Sequence, residues 1–124
     1  MIEWVPQKAM PKSRISARKT LVVGHRGASG HAPENTMAAF ERALQLGADG
    51  IEFDVQRSSD GRLMIFHDDE LRRTTNREGS LRKLTFDDLR KVDSGAWFSA
   101  DFLGERILSI EELFDFLQIG RAHV

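Results

Sequence analysis

Apolar residues fall in short runs separated by polar loops. Leu21-Val22-Val23-Gly24 is a brief β-branched run ending in glycine, as a buried strand feeding a loop would read. Downstream, Met37, Phe40 and Leu44 follow helical spacing, which predicts a helix capped by Asn35 and stopped by Gly47. Ile51 to Arg57 follows as a second strand. Strand, helix, strand with short loops is a βαβ unit and implies an α/β fold with a parallel sheet. Asp60-Gly61 then signals a tight turn, and Leu63-Met64-Ile65-Phe66 is expected to return as an antiparallel hairpin partner. Residues 68 to 83 are polar and loop-like. Thr85 with Asp88, and Ser109 with Glu112, read as capping boxes; the first opens a short helix through Leu89 and Val92, the second one through Leu113, Phe114 and Leu117.

Composition narrows the class. The chain has 124 residues, a formal net charge of −1, 40% hydrophobic and 30% charged residues, 10 Gly and no Cys. That is the makeup of one soluble globular domain, and it points to no nucleic-acid partner. Without cysteine, disulfide frameworks, thiolate nucleophiles and thiolate zinc sites are excluded. A complete (β/α)₈ barrel needs roughly 200 residues or more and is excluded too. No apolar run is long enough for a membrane span, and no signal-like core opens the chain, so a cytoplasmic protein without stable membrane insertion is expected. Residues 1–20 carry Lys8, Lys12, Arg14, Arg18 and Lys19 against Glu3 alone and read as a solvated basic leader.

The second strand carries the first chemical signal. Alternation places Ile51, Phe53 and Val55 on one face and Glu52, Asp54 and Gln56 on the other. Adjacent carboxylates repel and resist burial unless a cation lies between them. Mg²⁺ or Ca²⁺ would serve, being hard cations that take oxygen ligands; the alternative is an exposed acidic strand face. His25 and Arg26 follow the first strand and His67 follows the run 63–66, so both imidazoles emerge at strand ends. Two groups with ordinary pKa values near 6.5 suit a reaction that removes one proton and delivers another near neutral pH. Arg26 supplies a planar cation matched to phosphate oxygens. Phosphodiester cleavage fits this set best.

The motifs Gly24-His25-Arg26-Gly27-Ala28, Ala32-Pro33-Glu34-Asn35-Thr36, Glu52-Phe53-Asp54-Val55 and His67-Asp68, with Leu71-Arg72-Arg73-Thr74-Thr75-Asn76 and Gly79 after them, strongly resemble the glycerophosphodiester phosphodiesterase family from about Leu21 to Leu117. The resemblance implies an N-terminal fragment of a TIM (β/α)₈ barrel, with the family's small insertion after the second strand at residues 57 to about 107. It implies hydrolysis of glycerophosphodiesters to an alcohol and sn-glycerol 3-phosphate with Mg²⁺ or Ca²⁺. By position, His25 and His67 are the expected acid/base pair, Arg26 the phosphate-binding residue, and Glu52 and Asp54 metal ligands. The substrate's own glycerol hydroxyl is the expected first nucleophile.

Two departures qualify the match. Ile107-Leu108-Ser109-Ile110-Glu111-Glu112 stands where relatives commonly carry a proline-containing run, a mild change that keeps the helix cap. The family's third metal carboxylate lies on the next barrel strand, which this chain does not reach. His31 receives no catalytic role. The terminal Ile119-Gly120-Arg121-Ala122-His123-Val124 reads as the translation of ATCGGAAGAGCACACGTC, part of a common sequencing adapter. The expected division is therefore a basic leader at 1–20, a partial phosphodiesterase domain at 21–118 and a non-native tail at 119–124. Alternative functions are a phosphate-binding pseudo-enzyme and a phospholipase-D-like phosphodiesterase of the same barrel group.

Overall fold

A computed structural model describes residues 2–5 and 20–122. Its elements in chain order are strands β1 (Ile2–Trp4), β2 (Val23–His25), β3 (Gly50–Phe53), β4 (Val55–Arg57) and β5 (Leu63–Ile65), and helices α1 (Met37–Gln45), α2 (Phe86–Arg90) and α3 (Ile110–Ala122). β2 and β3 pair in parallel with α1 between them, the βαβ unit the pattern predicts. β4 and β5 form the expected antiparallel hairpin, with Gly61 at a φ of 84° in its turn.

The strand expected over residues 51–57 is divided. β3 belongs to a three-stranded sheet ordered β1-β3-β2, whereas β4 belongs to the hairpin. The break falls at Asp54, whose carbonyl accepts from the Phe66 amide at 3.0 Å while its carboxylate turns toward Arg26 and Asn35. Alternation survives the break. Ile51 and Phe53 are core residues and Val55 packs against them, while Glu52, Asp54 and Gln56 reach polar partners on the other side.

The start of α1 also differs from expectation. Its N-cap is Thr36, which has extended dihedrals and accepts from the Ala39 amide, so Asn35 is one residue too early to cap. Asn35 instead sits in the left-handed region at a φ of 57° and is free to point elsewhere. The helix stops as predicted, with Gly47 at a φ of 83°. Thr85 caps α2, and Ser109 and Glu112 bond reciprocally at the head of α3, a complete capping box.

Two apolar clusters organise these elements. In one, Phe40 and Ala43 of α1 and Leu113 and Leu117 of α3 cover Ile51 and Phe53 of β3. In the other, Met64, Phe66, Leu71, Leu81, Leu89, Val92 and Ile107 give the segment after β4 a core of its own. Asp93 orders the end of that segment: its carboxylate accepts from the amides of Gly95, Ala96 and Gly104. Burial works to raise its pKa, but these hydrogen bonds outweigh that and hold it below the ordinary value. Glu105 reaches back to accept from the Ala38 amide at 3.0 Å, joining the segment to the first turn of α1.

Within the basic leader, Ile2–Trp4 is β1, antiparallel to β3; residues 6–19 lie outside the described residues. The tail read as non-native enters α3 through Ala122, and residues 123 and 124 lie outside the described residues. No described helix is long and apolar enough to cross a membrane.

Candidate active site

Three of the five residues singled out by sequence, Arg26, Asp54 and His67, are joined in one polar network, and His25 and Glu52 form a pair of their own on β2 and β3. Parallel register makes His25, the last residue of β2, the direct partner of Glu52 on β3. Their side chains follow suit, with His25 Nε2 3.4 Å from Glu52 Oε1.

The chain then turns sharply. Arg26 takes a φ of 55° and Gly27 a φ of 81°, and the Gly27 amide closes on the Gly24 carbonyl. A left-handed arginine costs about 1–2 kcal/mol. The turn directs its guanidinium at two carboxylates: NH1 is 3.2 Å from Glu34 Oε2, and Nε is 3.5 Å from Asp54 Oδ2. Asn35, also left-handed, donates through Nδ2 to the same Asp54 oxygen at 3.1 Å. Asp54 is thus met by a cation and an amide.

Glu52 is treated differently. Its Oε1 is buried and accepts no hydrogen bond from any described residue. A buried carboxylate oxygen that accepts no hydrogen bond, two residues from a second carboxylate, is a donor set of the kind hard cations take. The two residues therefore fit a divalent ion as far as they go. Among the described residues no group of three His, Asp or Glu side chains could hold one.

His67 follows β5 and is partly exposed, with Nδ1 2.6 Å from Asp68 Oδ1. Gln56, on the polar face of β4, points its amide at the carbonyls of Phe66, His67 and Asp68 at 2.7–3.0 Å and so holds the backbone that carries the imidazole. Arg73 joins the halves of the site. Its guanidinium makes two bonds to Asp68, at 2.8 and 2.9 Å, and two to Glu34, both at 2.9 Å. The network runs His67, Asp68, Arg73, Glu34, Arg26, Asp54, with His25 and Glu52 beside it. His31 is exposed and makes none of these bonds.

The sequence pattern assigns no site role to Glu34, Asn35, Gln56, Asp68 or Arg73. Four of them were within view: Glu34 and Asn35 lie in the Pro33-Glu34-Asn35-Thr36 run, Asp68 adjoins His67, and Gln56 shares the face of Glu52 and Asp54. Arg73 lies in the Leu71–Asn76 run and pairs with Asp68 five residues before it, but its pairing with Glu34 spans 39 residues and has no local signal.

Comparison with known proteins bears on this arrangement. Residues 25–123 match the model of the glycerophosphoryl diester phosphodiesterase family. The chain is 50% identical over 99 residues to a glycerophosphodiester phosphodiesterase of Caldanaerobacter subterraneus, covering 80% of this chain and 41% of that protein. Among solved structures, it superposes on a glycerophosphodiester phosphodiesterase from Agrobacterium tumefaciens with a TM-score of 0.79 at 43% identity, covering 82% of this chain and 44% of that one. A phosphodiesterase from Oleispira antarctica, solved with the product sn-glycerol-3-phosphate, matches with a TM-score of 0.72 at 42% identity, over 73% of this chain and 37% of the other. The chain thus spans about two-fifths of the length of such relatives, and its α/β architecture corresponds to that part of a TIM barrel.

Proposed function

Because the chain belongs to the glycerophosphoryl diester phosphodiesterase family, we propose that residues 21–118 are the N-terminal part of a barrel enzyme that hydrolyses glycerophosphodiesters to an alcohol and sn-glycerol 3-phosphate. The observation that carries this reading is the polar network that joins His67 to Arg26 and Asp54 through Asp68, Arg73 and Glu34, with the His25–Glu52 pair on β2 and β3 next to it.

Arg26 is placed to hold non-bridging phosphoryl oxygens, its fixed fork meeting charge that grows as phosphorus is attacked. His25 and His67 divide the proton transfers. One takes the proton from the attacking hydroxyl, the substrate's own glycerol hydroxyl in the first step, as the bond to phosphorus forms. The other gives a proton to the departing alkoxide oxygen as its bond to phosphorus breaks, leaving a cyclic phosphate. Water then attacks phosphorus, losing a proton to one imidazole, while the ring oxygen leaves and takes a proton from the other, giving sn-glycerol 3-phosphate. Glu52 and Asp54 would hold Mg²⁺ or Ca²⁺, whose contribution is Lewis-acid stabilisation of phosphoryl charge. Asn35 fixes the rotamer of Asp54, and Gln56 fixes the backbone of His67.

A second reading, phosphate binding without turnover for the 124 residues by themselves, is supported by the lack, among the described residues, of a third His, Asp or Glu placed to join Glu52 and Asp54 around an ion. We further propose that residues 119–124 derive from a sequencing adapter. A native stop codon directly after Val124 at the source locus would refute that origin.

The test is hydrolysis of glycerophosphocholine by the protein from the complete reading frame. Turnover is expected there and not in the 124-residue chain, and His25→Ala or His67→Ala should each lower it by roughly 10² or more. A complete protein that folds but releases no glycerol 3-phosphate would reject the reading.

A further inference from the structure

We propose that Asp68 and Arg73 are positioning residues for His67: Asp68 holds Nδ1 as the protonated nitrogen, so that Nε2 is the atom that exchanges a proton with substrate. This rests on the reading of His67 as one of the acid/base pair.

The tautomer follows from what each partner can do. An ionised carboxylate only accepts, so a ring nitrogen 2.6 Å from Asp68 Oδ1 must carry the hydrogen. Arg73 keeps Asp68 in that state. Its Nε donates to Oδ2 at 2.8 Å and its NH2 to Oδ1 at 2.9 Å. These bonds, and then that from His67, hold the Asp68 carboxyl well below the usual carboxylate range, against a smaller opposing effect of burial. The hydrogen between ring and carboxylate therefore belongs to the ring.

Arg73 also limits where Asp68 can be. NH1 and NH2 bond Glu34 Oε1 and Oε2 at 2.9 Å each, and Glu34 Oε2 lies 3.2 Å from Arg26 NH1. One guanidinium thus grips the carboxylate behind His67 and the carboxylate behind Arg26. Glu34 is in the loop that leads to α1 and Asp68 follows β5, so the clamp sets the spacing between two loops remote in sequence. Only arginine has the planar set of donors to serve both carboxylates at once; a lysine at this position would hold them as a point charge, without fixed geometry.

The experiment uses the complete protein, labelled with ¹⁵N-histidine and studied by long-range proton–nitrogen correlation at a pH where the ring is neutral. His67 is expected as the Nδ1–H tautomer in the unmodified protein. Asp68→Ala should shift it toward Nε2–H and lower kcat about tenfold to hundredfold, with KM within about twofold. Asp68→Asn, which keeps an acceptor oxygen, should retain more of the Nδ1–H form; it also stands in if the alanine variant does not fold. Arg73→Gln should loosen the preference, and Arg73→Lys should restore it in part. An Nε2–H tautomer in the unmodified protein, or a tautomer and kcat unaffected by Asp68→Ala, would overturn the assignment. The spectrum needs no turnover: an Nδ1–H signal lost in Asp68→Ala would uphold the positioning role even if no glycerophosphodiester were hydrolysed, and only the functional reading would then fall.

Discussion

The side-chain amide of Asn35 donates to Asp54 Oδ2 at 3.1 Å, tying a left-handed loop residue to the point where β3 gives way to β4. Two costs can be separated at this position. Asn35→Gly removes a hydrogen bond to a charged group, worth about 1.5–3 kcal/mol, while accepting the dihedral freely. Asn35→Ala loses the bond and must also adopt a positive φ, so it should be the less stable variant by about 1–2 kcal/mol. Equal urea midpoints for the two would contradict the strain assigned to this residue.

Gly27 makes a close approach that no other residue tolerates. A Cβ there would lie 2.7 Å from the Ala39 carbonyl carbon and 2.8 Å from its Cβ, on a backbone already at a φ of 81°. Gly27→Ala should therefore push α1 away from the Arg26 turn and cost roughly 1–3 kcal/mol or more. It should also weaken binding of sn-glycerol 3-phosphate, measured by calorimetry, because the turn that aims Arg26 is disturbed. Unchanged stability and product affinity would show that the turn is not held in this way.

Removal of divalent ions tests the two carboxylates. EDTA should abolish hydrolysis by the complete protein, with recovery on adding back Mg²⁺ or Ca²⁺. Glu52→Gln should bind the ion less tightly in titration calorimetry, since it replaces a charged carboxylate with a neutral amide. Rates indifferent to EDTA would reject the metal assignment.

The Asp68–Arg73 pair predicts a pH dependence of stability. The Asp68 carboxyl is held below its ordinary value, so the folded state binds fewer protons at this site than the unfolded chain. Stability gained from the pair is then fully present above about 3.8, the ordinary aspartate value, and is lost as pH falls below it toward the folded-state value. Denaturation of the complete protein against Asp68→Asn should give a constant difference from pH 7 to about 5, shrinking below about pH 4. A difference that grew on acidification would have the wrong sign.

Much of this was legible in sequence because it depends on local periodicity. The parallel pair β2 and β3, the hairpin, the caps at Thr85 and Ser109 and the shared face of Glu52 and Asp54 all follow from spacing within a few residues. Asn35 was misread for a physical reason. Asparagine favours both N-caps and left-handed loop positions, and the neighbouring Thr36 competes for the cap and takes it. The break at Asp54 was hidden because alternation continues through it. The Arg73 clamp and the Glu105 bond to α1 depend on chain segments meeting from 39 and 67 residues away, which no local pattern encodes.

β1 lies along one side of β3, opposite the side used by β2, with Glu3 directly across from Glu52. The amide and carbonyl row on that side of β3 can serve one neighbour at a time. While β1 fills it, the row is no template for another chain, which removes one route to intermolecular pairing. A right-handed crossover through α3 would deliver a following parallel strand to the same sheet. Were that strand to reach this side, it would contend with β1 for the same groups, and the like charges of Glu3 and Glu52 would weigh against β1.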